Sequence, residues 1–251
     1  MITLSKKLLR AIGRTNAKYS LIKDGDKVLL GLSGGADSFV LAHVLSHMSR
    51  VAPFDFKFKA VAISYGMGEN YELLSKHCQE HEIDFEVHKT NISTLLKKYL
   101  RDNSSICSFC SRLRRGALYS YALDNGYNKL ALGHHLDDAV ESFFMNFSYN
   151  GALRSMPPIY RAKNGLEVIR PMIMVRQRQI QDQVKSASLP IIEDTTCPAE
   201  GIEIKAPRAR MEAKELLRQM EQENNDLYIS LRRAFENINL SSFFDKKYLD
   251  S

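Results

Sequence analysis

Three short runs bring together residue types that could do chemistry. Ser33-Gly34-Gly35-Ala36-Asp37-Ser38 sets two glycines between hydroxyls and a carboxylate, and Cys107-Ser108-Phe109-Cys110 spaces two thiols by two residues. Gly133-His134-His135-Leu136-Asp137-Asp138 crowds two imidazoles and two carboxylates together. A glycine turn that opens a helix leaves unpaired backbone N–H groups and the positive end of a helix dipole aimed at one spot, where a phosphate binds. Two thiols one helical turn apart can share a metal or a cluster, or act as a redox pair. A helix N-terminus and the nearby Arg112, Arg114 and Arg115 favour the thiolate. Imidazoles and carboxylates at a strand end suit a nucleotide, a metal, or both.

These runs need elements to hold them. In Val28-Leu29-Leu30-Gly31-Leu32 only Gly31 is not a large apolar residue, which predicts a strand buried on both faces, and Ser38 to Ala42 begins a helix-like run. Phe56 to Ser64 predicts a second strand that ends at Tyr65-Gly66-Met67-Gly68, Glu69 to His81 a helix, and Asp84 to His88 a third strand. Asn128 to Gly133 predicts a short strand followed by a helix to about Tyr149. Strands separated by helices predict βαβ units and an α/β, doubly wound, mostly parallel sheet, with the strand C-ends on one ligand-binding edge. Leu4, Leu8 and Ile12 against Lys6, Lys7, Arg10, Arg14 and Lys18 predict an amphipathic N-terminal helix with a basic face. The expected divisions are a basic helix over 1–24, a phosphate-loop domain carrying the cysteine pair over 25–200, and a helical extension over 201–251.

The 251 residues are 44% hydrophobic, ample for a real core, and a net charge of +6 permits a nucleic-acid partner without establishing one. No apolar run reaches transmembrane length and the basic N-terminus lacks a secretory pattern, so the expectation is a cytoplasmic protein with no membrane partner. Four cysteines are too few for a disulfide scaffold. Cys78 reads as a semi-buried packing residue. A closed zinc site needs four ligands, and Cys197 is the obvious thiol to complement the pair. Three cysteines with one open position suit a 4Fe-4S cluster, provided Cys197 comes close in space. Lys205, Arg208, Arg210, Lys214 and Arg218 form a basic stripe if Pro207 opens a helix. Glu212, Glu215 and Glu221 can neutralise it, leaving an RNA face and a solvated helix both open.

The loop lacks the lysine of a Walker A motif and resembles the S-G-G-x-D-S signature of the PP-loop ATP pyrophosphatases. That resemblance implies that Gly34 and Gly35 approach the β,γ-phosphates, Ser33 and Ser38 hydrogen-bond them, and Asp37 helps hold Mg²⁺. C-S-F-C-S-R-L-R-R-G, A-L-G-H-H-L-D-D, Met156-Pro157-Pro158 and Ile169-Arg170-Pro171 follow in order. Together they make the chain similar, from about residue 4 to 220, to the tRNA 2-thiocytidine synthetases, which thiolate cytidine 32 of the anticodon loop. The resemblance implies a Rossmann-like PP-loop fold with helical N- and C-terminal additions. It also implies an ATP-, Mg²⁺- and 4Fe-4S-dependent sulfurtransferase that acts on tRNA, draws on a cysteine desulfurase or other sulfur donor, and forms a homodimer. The expected ATP residues are Ser33, Gly34, Gly35, Asp37, Ser38, Ile63, Gly133, His134 and Asp137, with Asp37 and Asp138 on Mg²⁺ and in catalysis. Cys107, Cys110 and Cys197 would hold the cluster and take part in catalysis. Arg112, Arg114, Arg115, Lys205, Arg208, Arg210, Lys214 and Arg218 would face tRNA. Ala36, Gln177 and Glu200 depart from the family pattern, which commonly has Lys, Glu and Cys at these places. Other adenylating chemistry of the same superfamily, such as amine ligation in tRNA-lysidine formation, and a non-catalytic nucleotide or cluster sensor are the rival readings.

Overall fold

The computed structural model describes residues 2–99, 106–191 and 208–248. Strands β1 (Lys27–Gly31), β2 (Lys57–Ile63), β3 (Phe85–His88), β4 (Lys129–Ala131), β5 (Ile159–Arg161) and β6 (Glu167–Ile169) form one sheet in the order β3-β2-β1-β4-β6-β5. All neighbours run parallel except the β5–β6 pair at the edge. The hairpin joining those two turns at Gly165, and its three-residue strands are too short for sequence periodicity to reveal.

The strand period sorts the core into two layers. Val28 and Leu30 join Ala60, Ala62, Ala131 and Ile169 on one face, covered by helices α1 (Lys6–Tyr19), α2 (Ala36–Val51), α3 (Glu72–Glu80) and α7 (Gln177–Ser186). Leu29 joins Val61, Ile63, Leu130 and Val168 on the other, covered by α4 (Ile92–Tyr99) and α5 (Ile106–Asp124). A fully buried Leu or Phe here contributes about 1.5–3 kcal/mol. The basic N-terminal helix packs its apolar stripe, Leu8 and Ile12, into the first layer. Cys78 is 1% exposed in the same layer, more deeply buried than the sequence suggests, and burial pushes its thiol up to about 12. At the N-terminal edge of the sheet, buried Lys129 lies 2.6 Å from Glu167 and 3.6 Å from Asp26, while Asn128 bridges Asp26 to the start of β1.

The chain divides into two compact units, 1–139 with 156–205 and 140–155 with 206–251. This division does not follow the sequence expectation, because residues 140–155 join the C-terminal elements. The second unit is built from helix α6 (Leu136–Asn150) beyond its first turn, α8 (Arg208–Glu223) and α9 (Leu227–Glu236). There Phe143 packs its ring against Phe144, Phe147 and Phe235, and Arg210 donates to the buried Glu141 at 2.9 Å.

Candidate active site

β1 and β4 are neighbours whose connections run to different helices, so their C-ends bound a crevice where an open α/β sheet binds ligands. The Ser33–Gly35 turn leaves β1 and enters α2 with Gly34 at φ +85°, a backbone that glycine adopts without strain. The Ser38 hydroxyl donates to the Gly35 carbonyl at 3.0 Å and accepts the Ser33 N–H at 3.1 Å. The Ser33 and Ser38 hydroxyls lie 3.0 Å apart, so both serines shape the turn as well as lining it. The first N–H groups of α2 face the crevice that the sequence assigns to phosphate.

Gly133 follows β4 and rests on this turn. A Cβ there would stand 3.2 Å from Asp37 C and Ser38 N, so a larger residue would press on the first turn of α2. That contact brings the histidine-carboxylate run beside Asp37. His135 is 3% exposed, and its Nδ1 accepts the Asp138 backbone N–H at 3.3 Å. The remaining proton of the neutral ring then lies on Nε2, which is 3.4 Å from Asp138 Oδ2 and 3.9 Å from Asp37 Oδ2. Burial, with Asp138 and Asp137 adding to it and His135 opposing, raises the Asp37 carboxyl above its ordinary value. His135 is the residue that sequence reasoning left out. Its place between His134 and the two aspartates was the available signal.

Asp137 faces another way. It accepts Arg176 Nε at 3.1 and 3.3 Å and the Gln177 N–H at 2.8 Å, so its carboxylate anchors the start of α7. The side chain expected to contact ATP thus also fixes the frame around its neighbours. Ile63 ends β2 with its side chain buried, and its carbonyl accepts the Tyr71 hydroxyl at 3.3 Å, so any ligand contact there falls to backbone. His134 accepts Arg170 Nε at Nδ1, 3.3 Å away. Burial first, then the Arg170 charge, push the His134 pKa down to about 4.

Cys107 and Cys110 fall in the first turns of α5, three positions apart in the chain, and Cys110 is half-buried against the second core layer. Cys197 lies outside the described residues, as do Glu200 and Lys205. Arg112 and Arg115 are exposed on α5, while Arg114 reaches the loop after β2, donating to the Tyr65 hydroxyl at 3.2 Å. On α8, which Arg208 opens, Arg210 pairs with Glu141 and Arg218 with Glu215 at 2.7 Å, while Lys214 is exposed. Of the acids that could neutralise the stripe, Glu215 pairs with Arg218, while Arg210 is held by Glu141, an acid outside that set. Among the described residues no three His, Cys, Asp or Glu side chains are arranged to hold a metal. Mg²⁺ asks for less, since it commonly takes one or two carboxylates together with substrate phosphates. No helix among the described residues is long and apolar enough to cross a membrane.

The PP-loop domain family matches residues 4–213. The tRNA-cytidine(32) 2-sulfurtransferase of Geotalea daltonii is 38% identical over 246 residues, covering 97% of this chain and 96% of its own. The protein of the same name from Pseudomonas putida is 36% identical over 250 residues, covering 98% and 89%. Among solved structures, the U34-tRNA thiolase NcsA from Methanococcus maripaludis, determined with its 4Fe-4S cluster, superposes with a TM-score of 0.73 at 22% identity, covering 93% of this chain and 79% of its own, a likeness of fold. The phosphate turn, the residues gathered around it and these relatives agree: the chain belongs to the PP-loop family, among the relatives named tRNA-cytidine(32) 2-sulfurtransferase.

Proposed function

We propose that this chain is an ATP-dependent tRNA sulfurtransferase that adenylates the C2 carbonyl of a tRNA cytidine, position 32 in the anticodon loop, and replaces its oxygen with sulfur. The observation that carries this reading is the meeting of the Ser33–Ser38 turn with Gly133 and Asp138 at the ends of β1 and β4. The full-length relatives named for that activity supply the substrate.

A ring carbonyl oxygen is a poor leaving group, and adenylation makes it a good one. The cytidine oxygen attacks the ATP α-phosphorus and pyrophosphate departs. Its charge is met by the N–H groups of the Gly34-Gly35 turn and the α2 dipole. A sulfur nucleophile then adds at C2 and AMP leaves with the original oxygen. Asp37 and Asp138 would hold Mg²⁺, which would neutralise phosphate charge, with the His135 ring beside both carboxylates. Cys107, Cys110 and Cys197 would hold a 4Fe-4S cluster, which supplies the sulfur-carrying chemistry. Arg112 and Arg115 are exposed beside the cysteine pair and suit tRNA phosphate, whereas Arg114 is partly engaged by Tyr65. A cysteine desulfurase or another sulfur donor, a homodimer and a cytoplasmic location complete the proposal.

The test is anaerobic incubation of the cluster-reconstituted protein with unmodified tRNA, ATP, Mg²⁺ and a sulfide source. Nucleoside mass spectrometry should find one 2-thiocytidine per AMP released. AMP release with an unthiolated amine adduct, or thiolation without AMP, would refute the reading.

A further inference from the structure

Arg170, the arginine of the Ile-Arg-Pro run, occupies the centre of a partly buried chain of side chains. It is 7% exposed, its Nη1 donates to the Pro157 carbonyl at 2.7 Å, and its guanidinium lies 5.1 Å over the Tyr160 ring. The Tyr160 hydroxyl is in turn 2.6 Å from that of Tyr119. These contacts fix the guanidinium, and its Nε is aimed at His134 Nδ1. Arginine donates and never accepts, so Nδ1 must carry the lone pair and the ring's single proton must sit on Nε2. No other side chain among the described residues hydrogen-bonds that ring.

We propose that Arg170 is a positioning residue that locks His134 as a neutral Nε2–H donor to a non-bridging oxygen of the nucleotide's α-phosphoryl group. The assignment of the α-phosphoryl group follows from chain geometry. His134 directly succeeds Gly133, which touches the first turn of α2, so it stands next to the cradle assigned to the departing pyrophosphate. Neutrality has a chemical use, since an imidazolium at this point would protonate the sulfur nucleophile that must attack next. Burial and the Arg170, Arg115 and His135 charges all disfavour the imidazolium, with Asp138 alone opposing them. This inference rests on the nucleotide-activating reading given above.

The experiment is a long-range proton–nitrogen NMR spectrum of the full chain with ¹⁵N-histidine at neutral pH. The resonances that vanish in His134→Gln should show the Nε2–H tautomer alone. Saturating AMP should shift that Nε2 and inorganic pyrophosphate should not. In Arg170→Met the signals should move toward a tautomer mixture, and Arg170→Lys, which keeps the charge but not the planar donor, should behave alike if the methionine variant fails to fold. In turnover, His134→Gln, whose amide can reach the Nε2 position, should keep AMP formation within about tenfold, and His134→Asn should lose about a hundredfold. Arg170→Met should lower kcat about tenfold with little change in the KM for ATP. An Nδ1–H tautomer, or bound AMP that leaves Nε2 unmoved, overturns the proposal. AMP that does not bind at all overturns the nucleotide reading itself, and with it the ligand assigned to His134, while the tautomer result still decides the role of Arg170.

Discussion

His134 and His135 stand where β4 ends, whereas His43, His77 and His81 cluster between α2 and α3, and the two groups put the same ring to different uses. In the second group the His43 and His77 Nε2 atoms are 2.8 Å apart, and the three rings lie 4.4–5.1 Å from one another between centroids. The Nδ1 of His81 is buried with no hydrogen-bond partner, the one such side-chain nitrogen or oxygen among the described residues. Burial, then the neighbouring imidazoles, push the His43 pKa down to about 3; burial, then His81, lowers His77, and burial lowers His81. His135, equally buried, is ringed by Asp37, Asp137 and Asp138 within 3.9 Å. Burial of a histidine is therefore uninformative by itself. What separates packing from chemistry is the company of carboxylates at the C-end of a strand.

The largest effect expected from this contrast is at the strand end. Asp138→Asn should reduce AMP formation by about a hundredfold or more while leaving the melting temperature within a few degrees, as the loss of one group that stabilises developing charge does. An active Asp138→Asn would move the chemistry elsewhere. Gly133→Ala comes next, because its methyl must displace the α2 turn by a few tenths of an ångström. The KM for ATP should rise about tenfold, and an unchanged KM would show that the turn is not held by this contact. Asp137→Ala should act on stability instead, costing about 1–3 kcal/mol by removing the acceptor of the Arg176 Nε and Gln177 N–H bonds. Thermal unfolding reads that loss.

The histidine cluster should be visible only in acid. Its folded-state pKa values lie below the unfolded histidine value near 6.5, so its neutral form contributes full stability above that pH and loses it as pH falls toward about 3. Each unit of pH below 6.5 should cost about 1.4 kcal/mol from His43 alone. His43→Leu should flatten the dependence of the melting temperature on pH between 5 and 7 without altering AMP formation. A slope unchanged by the substitution would place the acid sensitivity in another group. Smallest of all, Arg218→Ala should shift the melting temperature by less than a degree or so, since exposed pairs such as Arg218–Glu215 contribute little.

The parallel sheet was legible because its central strands are continuous apolar runs closed by glycine turns, as Val28 to Gly35 shows. The hairpin of β5 and β6 was not, since three residues hold barely one period of the strand pattern. In the site, the glycine turn and the histidine-aspartate run announced themselves by local spacing. The roles of Asp137 and Arg170 did not, because each is set by partners 36 to 51 residues away, Arg176 and Gln177 for one and His134 and Tyr119 for the other. Composition carries residue types across such distances but not their directions.

The two edges of the sheet bear on how copies of the chain behave when crowded. β3 and β5 are only four and three residues long, and they carry Glu86, paired with Lys59, and the exposed Arg161, paired with Glu167. A neighbouring molecule that tried to extend the sheet would find a short row of open backbone groups guarded by charge, a poor template for cross-strand polymerisation. Sheet extension is thereby disfavoured, and a concentrated preparation should resist fibre formation.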